Sequence, residues 1–157
     1  MIFHILAVGR VRQAALREAC EEYCARASRY FKLQVVEVAD SSRGGRTGAD
    51  AMRAEGTALL QKLPPGATVV ALTREGEGED SPAFADRIAR WQRDARDVFF
   101  VIGGAGGLDQ SVFDRANGRL SLSTWTLPHE LARLVLLEQL YRAGTILKGE
   151  PYHKGHR

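Results

Sequence analysis

VFFVIGGAGGLD, residues Val98–Asp109, is a continuously apolar run that ends in four glycines within five positions. Such a run predicts a strand, Val98–Ile102, that is covered on both faces, as in the centre of a parallel sheet. Asp109 is placed to cap a short helix after the glycines. The glycines permit a tight turn, and they equally permit a ligand to lie against bare backbone, so both interpretations stay open. Their spacing matches neither the dinucleotide fingerprint nor the phosphate loop.

Four further runs rich in β-branched or apolar residues predict the other strands of the sheet. These runs are Ile2–Val8, Leu33–Val38, Thr68–Leu72 and Leu120–Leu122. Apolar residues at helical spacing separate them, within Leu16–Tyr30, Met52–Leu63 and Phe84–Ala95. Strands that alternate with helices predict one α/β domain, residues 1–157, with a mainly parallel sheet flanked by helices.

Two polar segments are predicted to be loops. Ala39–Gly48 is rich in serine, glycine and arginine, and Thr73–Ser81 carries acidic residues between glycines directly after the third strand. Open α/β sheets bind ligands beside the carboxyl ends of their strands, so these loops are candidate parts of a binding site.

Composition limits the classes of protein. The chain has 157 residues and a formal net charge of +3, which permits an anionic partner such as RNA. No apolar run approaches the roughly 20 residues that span a bilayer, and the first residues lack a secretory pattern, so we expect a cytoplasmic protein. Cys20 and Cys24 are expected to be free thiols, and His4 a packed histidine. No cluster has metal-site spacing, so no metal is predicted.

LSLSTWTLPHELARLVLLEQLYRAG, residues Leu120–Gly144, predicts a short strand, a loop and a long final helix. Pro128 lies near the first turn, where proline is tolerated, and Glu130 suits the positive end of the helix dipole. The helix is apolar on more than one face. It must therefore be buried widely, in the core or against a second subunit, which favours a homodimer.

Three segments together resemble the RlmH family of SPOUT methyltransferases: VIGGAGGL (Val101–Leu108), LSLSTWTLPHELARLVLLEQLYRA (Leu120–Ala143) and PYHK (Pro151–Lys154). The resemblance covers essentially the whole chain. It implies an α/β fold with a C-terminal trefoil knot and a homodimer whose C-terminal tail folds over the site. It also implies that S-adenosylmethionine methylates N3 of a pseudouridine in large-subunit ribosomal RNA. Ala105-Gly106 departs from the family, which usually has proline and a variable residue there.

The resemblance implies that the methyl donor contacts the end of the third strand, the glycine turn and the backbone before the last helix. The residues concerned are Leu72, Thr73, Gly103, Gly104, Leu122, Ser123, Thr124, Trp125, Thr126, Leu127 and Pro128. A larger side chain at Gly104 is expected to fill the space that the donor needs.

The acceptor nitrogen must lose a proton, and the sequence offers few groups for this chemistry. His129 adjoins the donor segment, though it equally suits a partly exposed histidine at a helix N-terminus. Arg142 could bind a phosphate or a uracil oxygen, or simply pair with Glu138 one turn away. Tyr152 and His153 could contact a splayed RNA base or belong to a frayed end, and the resemblance favours the first.

Other basic residues are candidate RNA contacts. Arg10 and Arg12 follow the first strand, Arg43 and Arg46 lie in the first loop, and Arg157 adds charge to the tail. Each loop pair could meet phosphates or be solvated surface charge.

Three classes of function are therefore compared. The first is an RNA methyltransferase acting on ribosomal RNA within the large subunit or the assembled ribosome. The second is another nucleotide-using enzyme such as an oxidoreductase, against which the missing dinucleotide spacing counts. The third is a noncatalytic ribosome-binding protein of the same fold.

Overall fold

Five strands and five α-helices alternate within the described part of the chain. The computed structural model describes residues 1–154, so the predicted tail charge at Arg157 lies outside the described residues. In chain order the elements are β1 Phe3–Val8, α1 Ala14–Ala27, β2 Leu33–Val38, α2 Gly48–Leu60, β3 Thr68–Gly78, α3 Ser81–Asp94, β4 Val98–Ile102, α4 Gln110–Arg115, β5 Gly118–Ser121 and α5 His129–Lys148. A short 3₁₀ turn covers Ser41–Gly44 in the first predicted loop.

All strand pairs in the sheet are parallel, in the order β2-β1-β4-β3-β5. The prediction of a mainly parallel sheet flanked by helices is confirmed. β4, the strand before the glycines, is central and every one of its residues is buried. Asp109 caps α4 as predicted, because its side chain accepts a hydrogen bond from the Ser111 backbone N–H at 3.1 Å. The trefoil knot stays a prediction.

Alternate residues of each central strand supply two separate cores. Ile5 and Phe100 pack on one face with buried residues of α1, α3 and α5. Leu6 and Phe99 pack on the other face with buried residues of α2 and α4. The sheet is therefore covered on both sides, which is why its central strands read as unbroken apolar runs. Within residues 1–154, none of the helices combines the length and apolar character that crossing a bilayer requires.

The prediction that Thr73–Ser81 is a loop is wrong for its first six residues. β3 continues to Gly78, because the chain bulges after Leu72 and then pairs with β5 again. Leu72 and Glu77 both align with Leu120. The glycines and glutamates of this segment have low strand propensity, so pairing with β5, rather than local preference, makes it a strand.

The amino edge of the sheet is closed by Asp97. Its carboxylate accepts a hydrogen bond from the Ile2 backbone at 2.8 Å and lies 3.1 Å from Nε2 of His4. His4 is buried and stacks on the Phe99 ring at 4.0 Å, which confirms that it is a packed histidine. Burial acts to raise the pKa of Asp97, but the hydrogen bonds from His4 and Ile2 lower it overall.

Both cysteines are free thiols, as predicted. Cys20 is buried and Cys24 is half-buried on α1. Burial raises the pKa of each thiol, so both remain protonated at neutral pH.

Candidate functional site

A cleft of about 870 Å³ lies at the carboxyl edge of the sheet. Its walls come from the bulged part of β3, the segments that follow β4 and β5, and the first turn of α5. The glycine turn and the stretch before the last helix thus meet in one cavity. Its volume falls within the roughly 300–1,000 Å³ range of small-molecule sites.

Most of the predicted donor contacts line this cleft. They are Leu72, Thr73, Gly103, Gly104, Leu122, Ser123, Trp125, Thr126, Leu127 and Pro128, and His129 joins them. Thr124 is exposed and does not line it. The structure therefore brings together residues up to 57 positions apart in sequence, from Leu72 to His129. Parallel pairing is the cause, since it places the carboxyl ends of neighbouring strands at one edge.

The glycine turn is tight, and the chain itself requires most of its glycines. Gly107 donates its N–H to the carbonyl oxygen of Gly104 at 3.0 Å and has a left-handed φ of 85°. A Cβ on Gly103 would lie 2.6 Å from the Gly107 carbonyl carbon, so only glycine fits there. Gly106 has open space where a side chain would be. The tight-turn interpretation is therefore correct for Gly103 and Gly107, and the turn also forms one wall of the cleft.

The expected effect of a side chain at Gly104 needs correction. Its Cβ would lie 3.1 Å from Cγ1 of Val8 and 3.1 Å from Oε2 of Glu55. Both atoms belong to the protein behind the turn, so a larger side chain would push against them rather than fill the donor space.

Several lining residues were not among the predicted donor contacts. They are Arg74, Glu75, Ile102, Ala105, Gly106, Gly107, Leu108, Phe113 and Ala132. Most adjoin predicted residues in the same segments, so extending each strand end by two or three positions would have found them. Phe113 belongs to α4, and no sequence pattern indicated that it lines the cleft.

A chain of hydrogen bonds fixes the segment before α5. The Ser121 hydroxyl donates to the Ser123 carbonyl at 2.9 Å, and the Ser123 hydroxyl accepts from the Trp125 N–H at 2.9 Å. The Ser121 hydroxyl also lies 3.2 Å from the Arg74 carbonyl, which ties this segment to β3. The Trp125 side chain is 82% exposed at the rim. The segment thus presents a fixed backbone to the cleft.

The first turns of α5 are anchored to the loop that follows β1. Glu130 accepts a hydrogen bond from the Arg12 backbone N–H at 2.6 Å. Buried Arg133 donates to the Gly9 carbonyl at 2.7 Å and lies 3.5 Å from the Glu37 carboxylate. His129, half-buried one residue before Glu130, is therefore held at the cleft wall.

The remaining predicted residues form a separate cluster on the last helix and the tail. Arg142 donates from Nε to Glu138 at 3.0 Å, as the helical-pair interpretation predicted, and its Nη1 lies 3.3 Å from Nδ1 of His153. The Tyr152 hydroxyl donates to Glu138 at 3.1 Å. Burial, followed by hydrogen bonds to Tyr23 and Glu138, raises the pKa of Tyr152 well above its usual range.

This tail cluster does not meet the cleft of its own chain. Arg142, Tyr152 and His153 do not line it. Because α5 rises about 1.5 Å per residue, Arg142 lies roughly 20 Å beyond His129 along the helix. The tail is nonetheless ordered by Glu138 and Arg142, so the frayed-end interpretation does not hold for Tyr152 and His153.

The chemistry of the cleft suits an adenosine-bearing ligand. Apolar side chains such as Ile102, Leu108 and Leu122 offer a surface for a heterocycle, while the turn and the pre-helix segment offer backbone polar groups. Among residues 1–154, no group of three histidine, cysteine or carboxylate side chains is placed to hold a metal ion.

Comparison with curated proteins gives close relatives along the full chain. "Ribosomal RNA large subunit methyltransferase H" from Anaeromyxobacter sp. (strain Fw109-5) is 51% identical over 154 residues, covering 98% of this chain and 100% of that protein. The protein of the same name from Gemmatimonas aurantiaca is 50% identical, covering 96% and 97%. The one from Dechloromonas aromatica is 39% identical, covering 96% of each.

Solved structures share the fold. A probable methylase family protein from Haemophilus influenzae Rd KW20 aligns with a TM-score of 0.55 at 11% identity, covering 99% of this chain and 71% of that one. A probable rRNA-methyltransferase from Porphyromonas gingivalis aligns with a TM-score of 0.50 at 16% identity, covering 92% and 68%. A family model described as "Predicted SPOUT methyltransferase" matches residues 1–153. With this match and the relatives above, the chain belongs to the SPOUT methyltransferase family.

Proposed function

We propose that this protein transfers a methyl group from S-adenosylmethionine to N3 of a pseudouridine in large-subunit ribosomal RNA, in the cytoplasm, as a homodimer of single-domain chains. The observation that carries the proposal is the single cleft in which the glycine turn after β4 meets the segment between β5 and α5. The relatives named as large-subunit ribosomal RNA methyltransferases support the substrate class.

The donor would lie between the two backbone segments. The residues that would hold it are those of the turn at Gly103 and Gly104, Leu72 before the bulge in β3, and the backbone of Leu122–Pro128. S-adenosylmethionine supplies an electrophilic methyl group on a sulfonium. The apolar wall would exclude water, and the fixed backbone would align the methyl group with the attacking nitrogen.

A second copy of the chain would bring the tail to the cleft. Within one chain the tail cluster begins at Glu138, roughly 14 Å from His129 along α5, and neither Tyr152 nor His153 lines the cleft. In a dimer, the tail of one protomer can complete the cleft of its partner. Half-buried apolar residues of α5, including Leu131, Leu134 and Val135, offer surface for that contact.

The acceptor N3 must lose its proton, and each polar side chain of the site would have its own role in that step. The raised pKa of Tyr152 keeps its phenol protonated at neutral pH, so it would donate a hydrogen bond rather than accept the proton. Because Nδ1 of His153 accepts a hydrogen bond from Arg142, its Nε2–H would donate to the base, which leaves the imidazole of His129 as the group to accept the proton. Arg142, held by Glu138, would bind a uracil oxygen or a phosphate.

Transfer of tritium from labelled S-adenosylmethionine to ribosomes tests the proposal. Purified protein should label ribosomal RNA in assembled ribosomes or free large subunits, at a nucleotide identified by mass spectrometry as a pseudouridine. Calorimetric titration should show binding of S-adenosylmethionine and none of NAD. Donor binding without transfer to either particle would favour the noncatalytic ribosome-binding protein instead.

A further inference from the structure

We propose that Arg10, Arg12, Arg43 and Arg46 form one phosphate-binding surface beside the cleft, which holds the backbone of the RNA substrate. The inference rests on the proposed function for the identity of the ligand. These four arginines would supply the electrostatic attraction for RNA. The methyl donor would bind in the separate cleft.

The two loops that carry these arginines lie side by side. β1 and β2 pair in register up to Val8 and Val38, and the Gly9 N–H donates to the Val38 carbonyl at 2.8 Å. A Cβ on Gly9 would lie 3.5 Å from Cβ of Asp40. Arg10 and Arg12 therefore leave the sheet at the same edge as Arg43 and Arg46, in the loops that follow two adjacent strands.

The first loop is fixed to the cleft through α5. Glu130 binds the Arg12 N–H, and Arg133 binds the Gly9 carbonyl, each within 2.7 Å. Both helix residues flank Ala132, which lines the cleft. An RNA held by this loop would thus be positioned against the wall at His129.

The second loop is fixed to the glycine turn through Glu55. This buried carboxylate accepts a hydrogen bond from the Ser41 N–H at 3.1 Å, and its other oxygen lies against Gly104. The loop that carries Arg43 and the glycine turn therefore both pack against the Glu55 side chain. Both arginine loops have a defined place relative to the donor.

The described part of the chain leaves the guanidinium groups of this surface largely without ion pairs, although the nearby carboxylates keep their own charge. All four arginines are exposed. Within residues 1–154, Arg10, Arg12 and Arg46 have no ion pair, and Arg43 has only a 3.8 Å contact with Asp40. Neighbouring carboxylates are engaged elsewhere. Glu130 and Glu55 bind backbone N–H groups, and Asp40 accepts from Ser42 at 3.0 Å.

More buried arginines differ from these four in their ion pairs, whereas exposed arginines such as Arg93 and Arg96 differ from them in their position, away from the carboxyl edge of the sheet. Arg87, Arg133 and Arg142 each lie within 3.5 Å of a carboxylate. Four exposed guanidinium groups without close carboxylate partners suit successive phosphates of a nucleic acid backbone, because each can form two parallel hydrogen bonds to phosphate oxygens.

Two double variants test the surface: Arg10→Ala with Arg12→Ala, and Arg43→Ala with Arg46→Ala. The matched control is Arg93→Ala with Arg96→Ala, an exposed pair beside the opposite edge of the sheet that removes the same charge. Affinity for a short fluorescein-labelled single-stranded RNA is measured by anisotropy over a range of salt concentrations. Transfer to ribosomes and calorimetric donor affinity are measured in parallel.

Each test pair should weaken RNA binding about tenfold at low salt and lower the salt slope by about 0.7 for each phosphate that the variant no longer binds. Donor affinity should stay that of the wild type, and the control pair should change RNA binding little. If the control pair weakened RNA binding as much as the test pairs, the proposed surface would be wrong, even if the wild type labels ribosomes. Loss of RNA binding only in the test pairs would support it, and failure of the wild type to label ribosomes would then count against the proposed function alone.

Discussion

The space for a side chain at residue 104 is small. Gly104→Val would bring new atoms within contact of Val8 and Glu55, which already stand 3.1 Å from the Cβ position. We expect this overpacking to cost about 1–3 kcal/mol of the free energy of unfolding and to displace the turn that walls the cleft. Urea unfolding and calorimetric titration with S-adenosylmethionine would measure the two effects.

Gly106→Ala is the matched control for this substitution. Its Cβ would meet no atom within 4 Å, and the backbone there is not left-handed. Its free energy of unfolding should therefore stay within about 0.5 kcal/mol of the wild type, as for most surface substitutions. Unchanged stability and donor affinity of Gly104→Val would show that the turn has room behind it.

Asp97 makes stability depend on pH at the amino edge of the sheet. Its pKa is lower in the folded protein than its ordinary value, so the ionised carboxylate favours the fold. This contribution is full above about pH 4 and is lost as the pH falls through the lowered pKa. Asp97→Asn should therefore unfold at lower urea than the wild type at neutral pH, and the two midpoints should converge in acid. A constant difference at every pH would contradict this account.

At the level of elements, the bulge in β3 shapes one wall of the cleft. A Cβ on Gly76 would lie 2.7 Å from the Leu120 carbonyl carbon and 2.8 Å from that of Arg119. Backbone cannot move aside as a flexible side chain can, so Gly76→Ala should separate the second part of β3 from β5. We expect a loss of about 1–3 kcal/mol in unfolding free energy and weaker donor binding, since Thr73–Glu75 would shift.

A matched control for Gly76→Ala is Gly78→Ala in the same strand, whose Cβ meets no atom within 4 Å. It should leave unfolding and donor titration close to the wild type. If both variants behaved alike, the close approach to β5 would not be the reason for glycine at position 76.

The same bulge shows where sequence reasoning succeeds and where it stops. β2 and β4 were predicted with their observed bounds, because a run of β-branched or apolar residues between two helical patterns leaves little ambiguity. Thr73–Gly78 was missed because its pairing depends on β5, far along the chain. The cleft could be foreseen, since the loops after parallel strands must converge. The site of Phe113 could not, because it depends on how α4 packs.

The periodicity of the sequence also does not predict how the tail is arranged. Glu138 gathers Arg142 and Tyr152 through side-chain contacts that no spacing rule specifies for a segment after the helix end. The residues of the candidate site therefore fall into two groups, one at each end of α5. For the molecule as a whole, the question is whether both groups serve one reaction across two chains.

Mixing two inactive variants answers that question. Leu127→Arg would block the cleft and leave the tail intact, while His153→Ala would leave donor affinity unchanged but lower transfer. In a dimer with shared sites, mixed and re-equilibrated subunits should regain about a quarter of the wild-type sites, because half of the dimers pair an intact cleft with an intact tail. Tritium transfer to ribosomes measures the recovery, and a chain carrying both substitutions, mixed with His153→Ala, is the control. Absence of recovery in exchanged dimers would mean that each chain uses its own tail, which would require the tail to leave Glu138 and cross roughly 14 Å along α5.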